Sequence, residues 1–144
     1  MPHQIIKTKV IVNPDSNPGK LKRQLRPAIK ILRENGFKLS VTFTKGPNEV
    51  LPLARKAAQE GFDAVIAVGG DGTANETING IVGRNVTLGL LPIGGSNVLA
   101  RELGYPMNLV DAARTIIRRS KRKIDLGWID GRYFSMMASC GYDA

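Results

Sequence analysis

The residues best suited to chemistry lie between positions 69 and 76, where the chain reads Gly69-Gly70-Asp71-Gly72-Thr73-Ala74-Asn75-Glu76. Three glycines surround one carboxylate within four residues. Glycine lets a backbone take left-handed angles and approach a ligand with no β-carbon in the way. Successive backbone N–H groups in such a run can form a concave nest for phosphate. A segment of helical period follows, so the nest would sit at the positive end of a helix. A carboxylate among anion-binding groups makes sense when a cation mediates, and Asp71 is placed to meet magnesium on a nucleotide phosphate. Part of the run has a plainer reading. Thr73-x-x-Glu76 fits a capping box, in which both side chains satisfy backbone donors at a helix start. Capping does not account for glycines around an acid.

A second glycine-rich loop, Pro92-Ile93-Gly94-Gly95-Ser96-Asn97, also opens a helix. Two such loops on neighbouring strands, one with a central acid, make a case for a phosphate site. The loop Asn13-Pro14-Asp15-Ser16-Asn17-Pro18-Gly19-Lys20 is not a P-loop, because Pro14 stands where that motif requires glycine. Asn17 reads as a helix cap and Pro18 as the first helical residue. Its place after a strand also makes this loop a wall of the same site.

Alternating strands and helices would position these loops. Lys9–Val12 reads as a strand, Pro18–Glu34 as an amphipathic helix closed by Gly36, and Phe37–Phe43 as a strand. A helix over Glu49–Glu60 ends at Gly61, and Asp63–Val68 has the continuous apolar character of a strand covered on both faces. A helix from about Thr73, a strand at Val86–Leu91 and helices at Ser96–Leu103 and Asn108–Arg119 follow. Two strand-like pieces, Lys123–Ile129 and Tyr133–Ala138, flank the hairpin signal Asp130-Gly131. The pattern predicts an α/β fold, a parallel sheet with helices on both faces. In such sheets ligands bind beyond the carboxyl ends of the strands, here the loops after Val12, Phe43, Val68 and Leu91.

The 144 residues suit one ordinary domain, with 42% hydrophobic and 23% charged residues and no low-complexity run. No apolar stretch is long enough for a membrane span, and Met1–Lys9 lacks the apolar core of a secretory signal. Cys140, the only cysteine, cannot form an internal disulfide and fits packing in a reducing cytosol. The net charge of +9 favours an anionic partner: nucleic acid, an anionic membrane surface or a phosphorylated ligand. Its densest cluster, Arg118, Arg119, Lys121, Arg122 and Lys123, also suits a solvated helix end. With 6% aromatic residues and no helix-turn-helix signal, nucleic acid is disfavoured.

Gly69-Gly70-Asp71-Gly72-Thr73 with Asn75-Glu76 resembles the signature of the diacylglycerol kinase and sphingosine kinase catalytic domain. Its core is shared with NAD kinases and, slightly altered, with phosphofructokinases. Val12-Asn13-Pro14 with Ser16, Thr44 at a strand end, and Leu91-Pro92-Ile93-Gly94 with Asn97, Ala100 and Arg101 are similar to further pieces of the lipid kinases. So is Gly141-Tyr142-Asp143-Ala144.

The resemblance implies a phosphofructokinase-like domain over residues 1–129 and the start of a β-rich second domain over 130–144. It implies an ATP- and magnesium-dependent lipid kinase that phosphorylates a hydroxyl of diacylglycerol or a sphingoid base. The alternatives are an NAD kinase-like enzyme and a non-catalytic nucleotide-binding domain. The implied nucleotide site comprises Asn13, Ser16, Thr44, Gly69 to Glu76 (Ala74 included), Gly94, Gly95 and Asn97, with Asp71 as catalytic and metal-organising residue. Gly95 stands where the family usually has Thr, and Val98 where many members have Asp. Such a kinase would be cytoplasmic and peripheral to the membrane. This chain alone would lack a general base and could pair as a homodimer through Tyr133-Phe134 and Met136-Met137.

Overall fold

The computed structural model describes residues 4–46 and 48–134. Strands and helices alternate as β1 (Ile6–Val12), α1 (Pro18–Glu34), β2 (Phe37–Phe43), α2 (Val50–Gln59), β3 (Ala64–Gly69), α3 (Asp71–Ile81) and β4 (Thr87–Pro92). Then come α4 (Val98–Glu102), α5 (Leu109–Ile117) and the short strands β5 (Gly127–Ile129) and β6 (Arg132–Phe134). The first four strands form one parallel sheet in the order β2-β1-β3-β4.

Crossover direction assigns the helices to faces. The step from β1 to β2 runs one way along the sheet, and the steps β2 to β3 and β3 to β4 run the other way. Right-handed crossovers then put α1 opposite α2 and α3. The core agrees, because side chains alternate along each strand. Val10, Val12, Ile66, Val68 and Leu91 pack with Leu32 of α1 and with Leu109 and Ala112 of α5. Ile11 and Val65 meet Ala54 and Ala57 of α2 and Ile81 of α3. Ala67 and Leu90 meet Ala74 and Ile78 of α3 and Leu99 of α4. All of β3 is buried, as its unbroken apolar run requires. Gly80 lets α3 press on α2: a Cβ there would lie 2.7 Å from both the Ala54 Cβ and the Leu51 carbonyl oxygen.

Local signals set most boundaries. The Asn17 side chain accepts from the Lys20 N–H with Pro18 at the first helical position, and Gly36 and Gly61 take φ of +89° and +83° beyond α1 and α2. Several details depart from the sequence expectation. β1 begins at Ile6, because it pairs with β2 from Ile6 opposite Phe37 onward. α4 is short, since Asn97 takes a left-handed φ of 51° just before it. Arg119 is no solvated helix end: its guanidinium donates to the Gln4 and Asn35 carbonyls, at 2.8 Å each, and lies 5.1 Å from the Phe37 ring centre.

The Asp130-Gly131 hairpin forms, with φ of 49° and 81° at those residues, but its described strands cover only 127–129 and 132–134. It docks on α3. The Asn79 amide brackets the Tyr133 backbone, accepting from its N–H at 2.8 Å and donating to its carbonyl at 2.9 Å. Tyr133 also packs against the α3–α4 cluster, so it is not the open apolar patch expected; Trp128 and Ile129 are the exposed large apolar residues of the hairpin. His3, Met136, Met137, Cys140 and Gly141–Ala144 lie outside the described residues. Among those described, no helix is long and apolar enough to cross a membrane.

Candidate functional site

Pairing continues past the strand ends and draws four loops to one edge of the sheet. The Thr44 N–H donates to the Val12 carbonyl at 2.8 Å, the Asn13 N–H to Val68 at 2.9 Å, and the Ile93 N–H to Gly69 at 2.9 Å. The buried Thr44 hydroxyl also donates to the Val12 carbonyl, at 3.3 Å. In the first loop the Asn13 side chain accepts from the Asp15 N–H at 3.2 Å, and the Ser16 N–H donates to the Asn13 carbonyl at 3.4 Å. β1 and β3 are neighbours whose following helices leave in opposite directions, so this edge holds the topological switch point.

The two glycine-rich loops touch backbone to backbone. A Cβ on Gly94 would stand 2.5 Å from the Gly70 Cα, and a Cβ on Gly70 would stand 3.2 Å from the Gly94 Cα. Asn97, 4% exposed, fixes the second loop from inside. Its amide donates to the Gly94 carbonyl at 2.8 Å and its oxygen accepts from the Gly94 N–H at 3.0 Å. The crevice among Gly70, Asp71, Asn97 and Leu99 holds only about 10 Å³. Any ligand of nucleotide size must therefore lie on the rim above the loops. Gly95 has open space around it.

α3 begins at Asp71 with Gly70 as its cap, two residues earlier than the pattern implied. No capping box forms. The first bonded N–H of the helix is that of Ala74, which reaches the Gly70 carbonyl at 3.1 Å. Asp71, Gly72 and Thr73 therefore present N–H groups with no partner within the helix, at the positive end of an 11-residue dipole. Asp71 stands among them with one carboxylate oxygen 3.4 Å from the Leu99 N–H, which tethers it to the start of α4.

The other residues of the signature serve different ends. Thr73 is buried beneath Gly69, where a Cβ would fall 2.3 Å from the Thr73 hydroxyl. Ala74 is core. Glu76 turns away from the rim and pairs with Arg132 of the hairpin, and the buried Asn75 side-chain oxygen has no partner among the described residues.

One residue of the site was not singled out from the sequence. Lys20, in the first turn of α1, spans the rim and donates to the Pro92 carbonyl at the end of β4, at 2.9 Å. Burial first, and then the charge of Arg101, hold its ammonium below the usual lysine pKa of 10.5. Arg101 itself donates to the Ser96 carbonyl in the second glycine loop, at 2.9 Å. The available signal was Gly19-Lys20 at a helix start within a strand-end loop.

A metal fits this donor set only together with a ligand. Among the described residues no group of three or more His, Cys, Asp or Glu could hold an ion. Asp71 offers one carboxylate beside three N–H groups that have no partner within the helix. That suits magnesium, which binds through one or two carboxylates plus phosphate oxygens and water.

Comparison with known proteins gives one answer. Residues 7–129 match the family model described as the diacylglycerol kinase catalytic domain. The chain is 36% identical over 138 residues to a diacylglycerol kinase of Bacillus subtilis (strain 168), covering 94% of this chain and 46% of that protein. It is 34% identical over 137 residues to one of Staphylococcus aureus (strain bovine RF122 / ET3-1), covering 94% and 44%. It thus spans about half the length of these curated relatives. A crystal structure of a diacylglycerol kinase from Bacillus anthracis str. Sterne superposes with a TM-score of 0.76 at 28% identity, over 89% of this chain and 45% of that one. A further solved structure from the same organism gives 0.81 at 30% identity, over 89% and 47%. With the matched model spanning nearly all of the described fold, the chain belongs to the diacylglycerol kinase catalytic domain family.

Proposed function

We propose that this chain is the nucleotide-binding half of an ATP- and magnesium-dependent kinase. It would transfer the γ-phosphoryl group to a hydroxyl of a lipid, diacylglycerol or a sphingoid base. The observation that carries the reading is the rim itself: three N–H groups at the start of α3, the Asp71 carboxylate and the Gly94 loop, gathered at the switch point of the sheet. The N–H groups of Asp71, Gly72 and Thr73 hold phosphate oxygens. Lys20 adds positive charge from across the rim. Asn13, Ser16, Thr44 and Gly95 wall the nucleotide, and Asn97 acts by keeping the Gly94 loop in shape. Asp71 holds magnesium, which when bound neutralises charge on the transferring phosphates. Phosphoryl transfer depends chiefly on such positioning and charge stabilisation.

The acceptor pocket and general base belong, in this reading, to the half of the relatives that this chain does not match, beyond a domain boundary near residue 130. The 144-residue chain alone therefore binds nucleotide without phosphorylating lipid, and the complete enzyme works at an anionic membrane surface.

ATP titration with magnesium, followed by backbone amide shifts, tests the site. Shifts should map to the loops after Val12, Phe43, Gly69 and Pro92. Shifts on the opposite edge, or none at millimolar ATP, would refute it. In the complete enzyme Asp71→Asn should abolish activity and keep the fold, since Asn retains an acceptor for the Leu99 N–H but loses the charge magnesium requires. Assays with NAD and with lipid acceptors separate a lipid kinase from an NAD kinase, and inactivity on both would leave a nucleotide-binding domain.

A further inference from the structure

Lys20 lies in the first turn of α1, yet its ammonium ends on the far side of the site. α1 follows β1, Pro92 closes β4, and β3 runs between those two strands. Pro92 stands in register with Gly69, the last residue of β3. The side chain therefore crosses the carboxyl end of β3, and its ammonium sits where the two glycine-rich loops leave the sheet. Its interactions there are incomplete. A lysine ammonium carries three donors, and the Pro92 carbonyl takes one, at 2.9 Å. Among the described residues it forms no ion pair with a carboxylate. Burial strips part of its water and the neighbouring charge is another cation, Arg101. A partly desolvated charge beside a like charge is unfavourable until an anion joins it.

The order of the strands decides which part of a ligand would meet it. In the nucleotide-binding reading, on which this inference rests, Asn13, Ser16 and Thr44 wall the nucleotide from the loops after β1 and β2. The N–H groups of Asp71, Gly72 and Thr73 hold phosphate at the end of β3. A polyphosphate that starts on the β2–β1 side and crosses those N–H groups points its free end at β4. The ammonium of Lys20 stands there.

We infer that Lys20 recognises the terminal phosphate of a nucleoside triphosphate and gives the site its preference for triphosphate over diphosphate. The Pro92 carbonyl fixes the ammonium through one donor, and the two others take oxygens of the terminal phosphate. A diphosphate, one group shorter, occupies the start of α3 without reaching Lys20. A purely structural tie between α1 and β4 would need one donor and no charge, so the two roles separate by experiment.

The test is calorimetric titration of the 144-residue chain with ATP, ADP and AMP in excess magnesium. The parent should bind ATP more tightly than ADP. Lys20→Met should weaken ATP binding on the order of 10- to 100-fold, the usual effect of losing a hydrogen-bonded charge, and ADP and AMP binding by less than about threefold. Lys20→Arg, which keeps the charge and donors for phosphate, should recover most of the ATP affinity. Lys20→Gln keeps a donor for the Pro92 carbonyl but no charge; it should resemble Lys20→Met, and it carries the test if that variant fails to fold. Lys22→Met removes an exposed cation from the same helix and should change all three affinities by less than about twofold. Equal losses of ATP and ADP binding in the Met and Gln variants would overturn the inference and leave Lys20 a structural tie. Unchanged ATP binding in both would overturn it too, with the nucleotide site intact. No binding of any nucleotide by the parent would sink the nucleotide-binding reading and this inference together. Selective loss of ATP binding without phosphoryl transfer by the complete enzyme would sink the kinase reading alone.

Discussion

Gly94→Ala isolates the contact between the two glycine-rich loops. The added Cβ would sit 2.5 Å from the Gly70 Cα and 3.1 Å from the Asn97 side-chain oxygen. Carbon atoms rest at about 3.5–4.0 Å, so the loops must part by about 1 Å. The obstacle is backbone, with no rotamer to swing aside. Overpacking of this kind costs about 1–3 kcal/mol. For a chain of this length, that lowers the melting temperature by about 2–12 °C. The same displacement loosens the Asn97–Gly94 hydrogen bonds and moves the rim where phosphate would lie. ATP affinity should therefore fall about tenfold or more, equivalent to about 1.4 kcal/mol.

Gly95 is the built-in control. Nothing lies within 4 Å of a Cβ there, and its φ is outside the left-handed region. Gly95→Ala should melt within about 1 °C of the parent, and Gly95→Thr, which supplies the hydroxyl usual in the family, should be tolerated equally. Thermal unfolding and ATP titration of the variants decide the matter. A Gly94→Ala protein with parental stability and affinity, or a Gly95→Ala protein as destabilised as Gly94→Ala, would refute the role given to this contact.

Arg119→Ala removes two hydrogen bonds and the stack on Phe37, and should cost about 2 kcal/mol, read by denaturant unfolding; Arg119→Lys should not restore it, having no planar fork. Asn79→Ala should leave global stability nearly intact but raise amide exchange at Tyr133 roughly tenfold, because both hydrogen bonds bracketing that residue are lost. Lys20 predicts a pH dependence. Its folded pKa lies below 10.5, so between the lowered value and 10.5 the folded chain binds fewer protons than the unfolded chain, and stability gains with rising pH. The melting temperature of the parent should rise relative to Lys20→Met as the pH is raised towards 10.5; a difference independent of pH would show that Lys20 is not desolvated.

The fold was legible because its signals are local and repeated. Strand and helix periods, Asn17-Pro18 at one helix start, and Gly36, Gly61 and Asp130-Gly131 at turns each specify their own few residues. The convergence of the candidate-site loops was legible for the same reason: glycines clustered at strand ends. What escaped depends on partners far along the chain. Glu76 matches a capping box by spacing, yet its partner is Arg132, 56 residues on. Lys20 looks like any first-turn lysine until Pro92 arrives 72 residues later. Arg119 reads as one of a solvated cluster, and only the return of Gln4, Asn35 and Phe37 to its side makes it a tie. Asn97 reads from its motif as part of the nucleotide site, and its side chain bonds within its own loop.

The grip of Asn79 on the hairpin has a mechanical consequence. α3 is pressed on α2 at Gly80, next to that grip, while Asp71 stands at the far tip, nine residues and about 13 Å away. No proline interrupts the helix between them. α3 is thus a lever whose fulcrum and handle lie together at one end. A tilt of about 5° imposed through β6 would carry Asp71 about 1 Å across the rim. In an active site a misplacement of that size costs about 10²-fold in rate. The angle at which the hairpin is held therefore bears on where the carboxylate stands, so in the proposed kinase a force on β6 would act as a throttle at a rim it never touches.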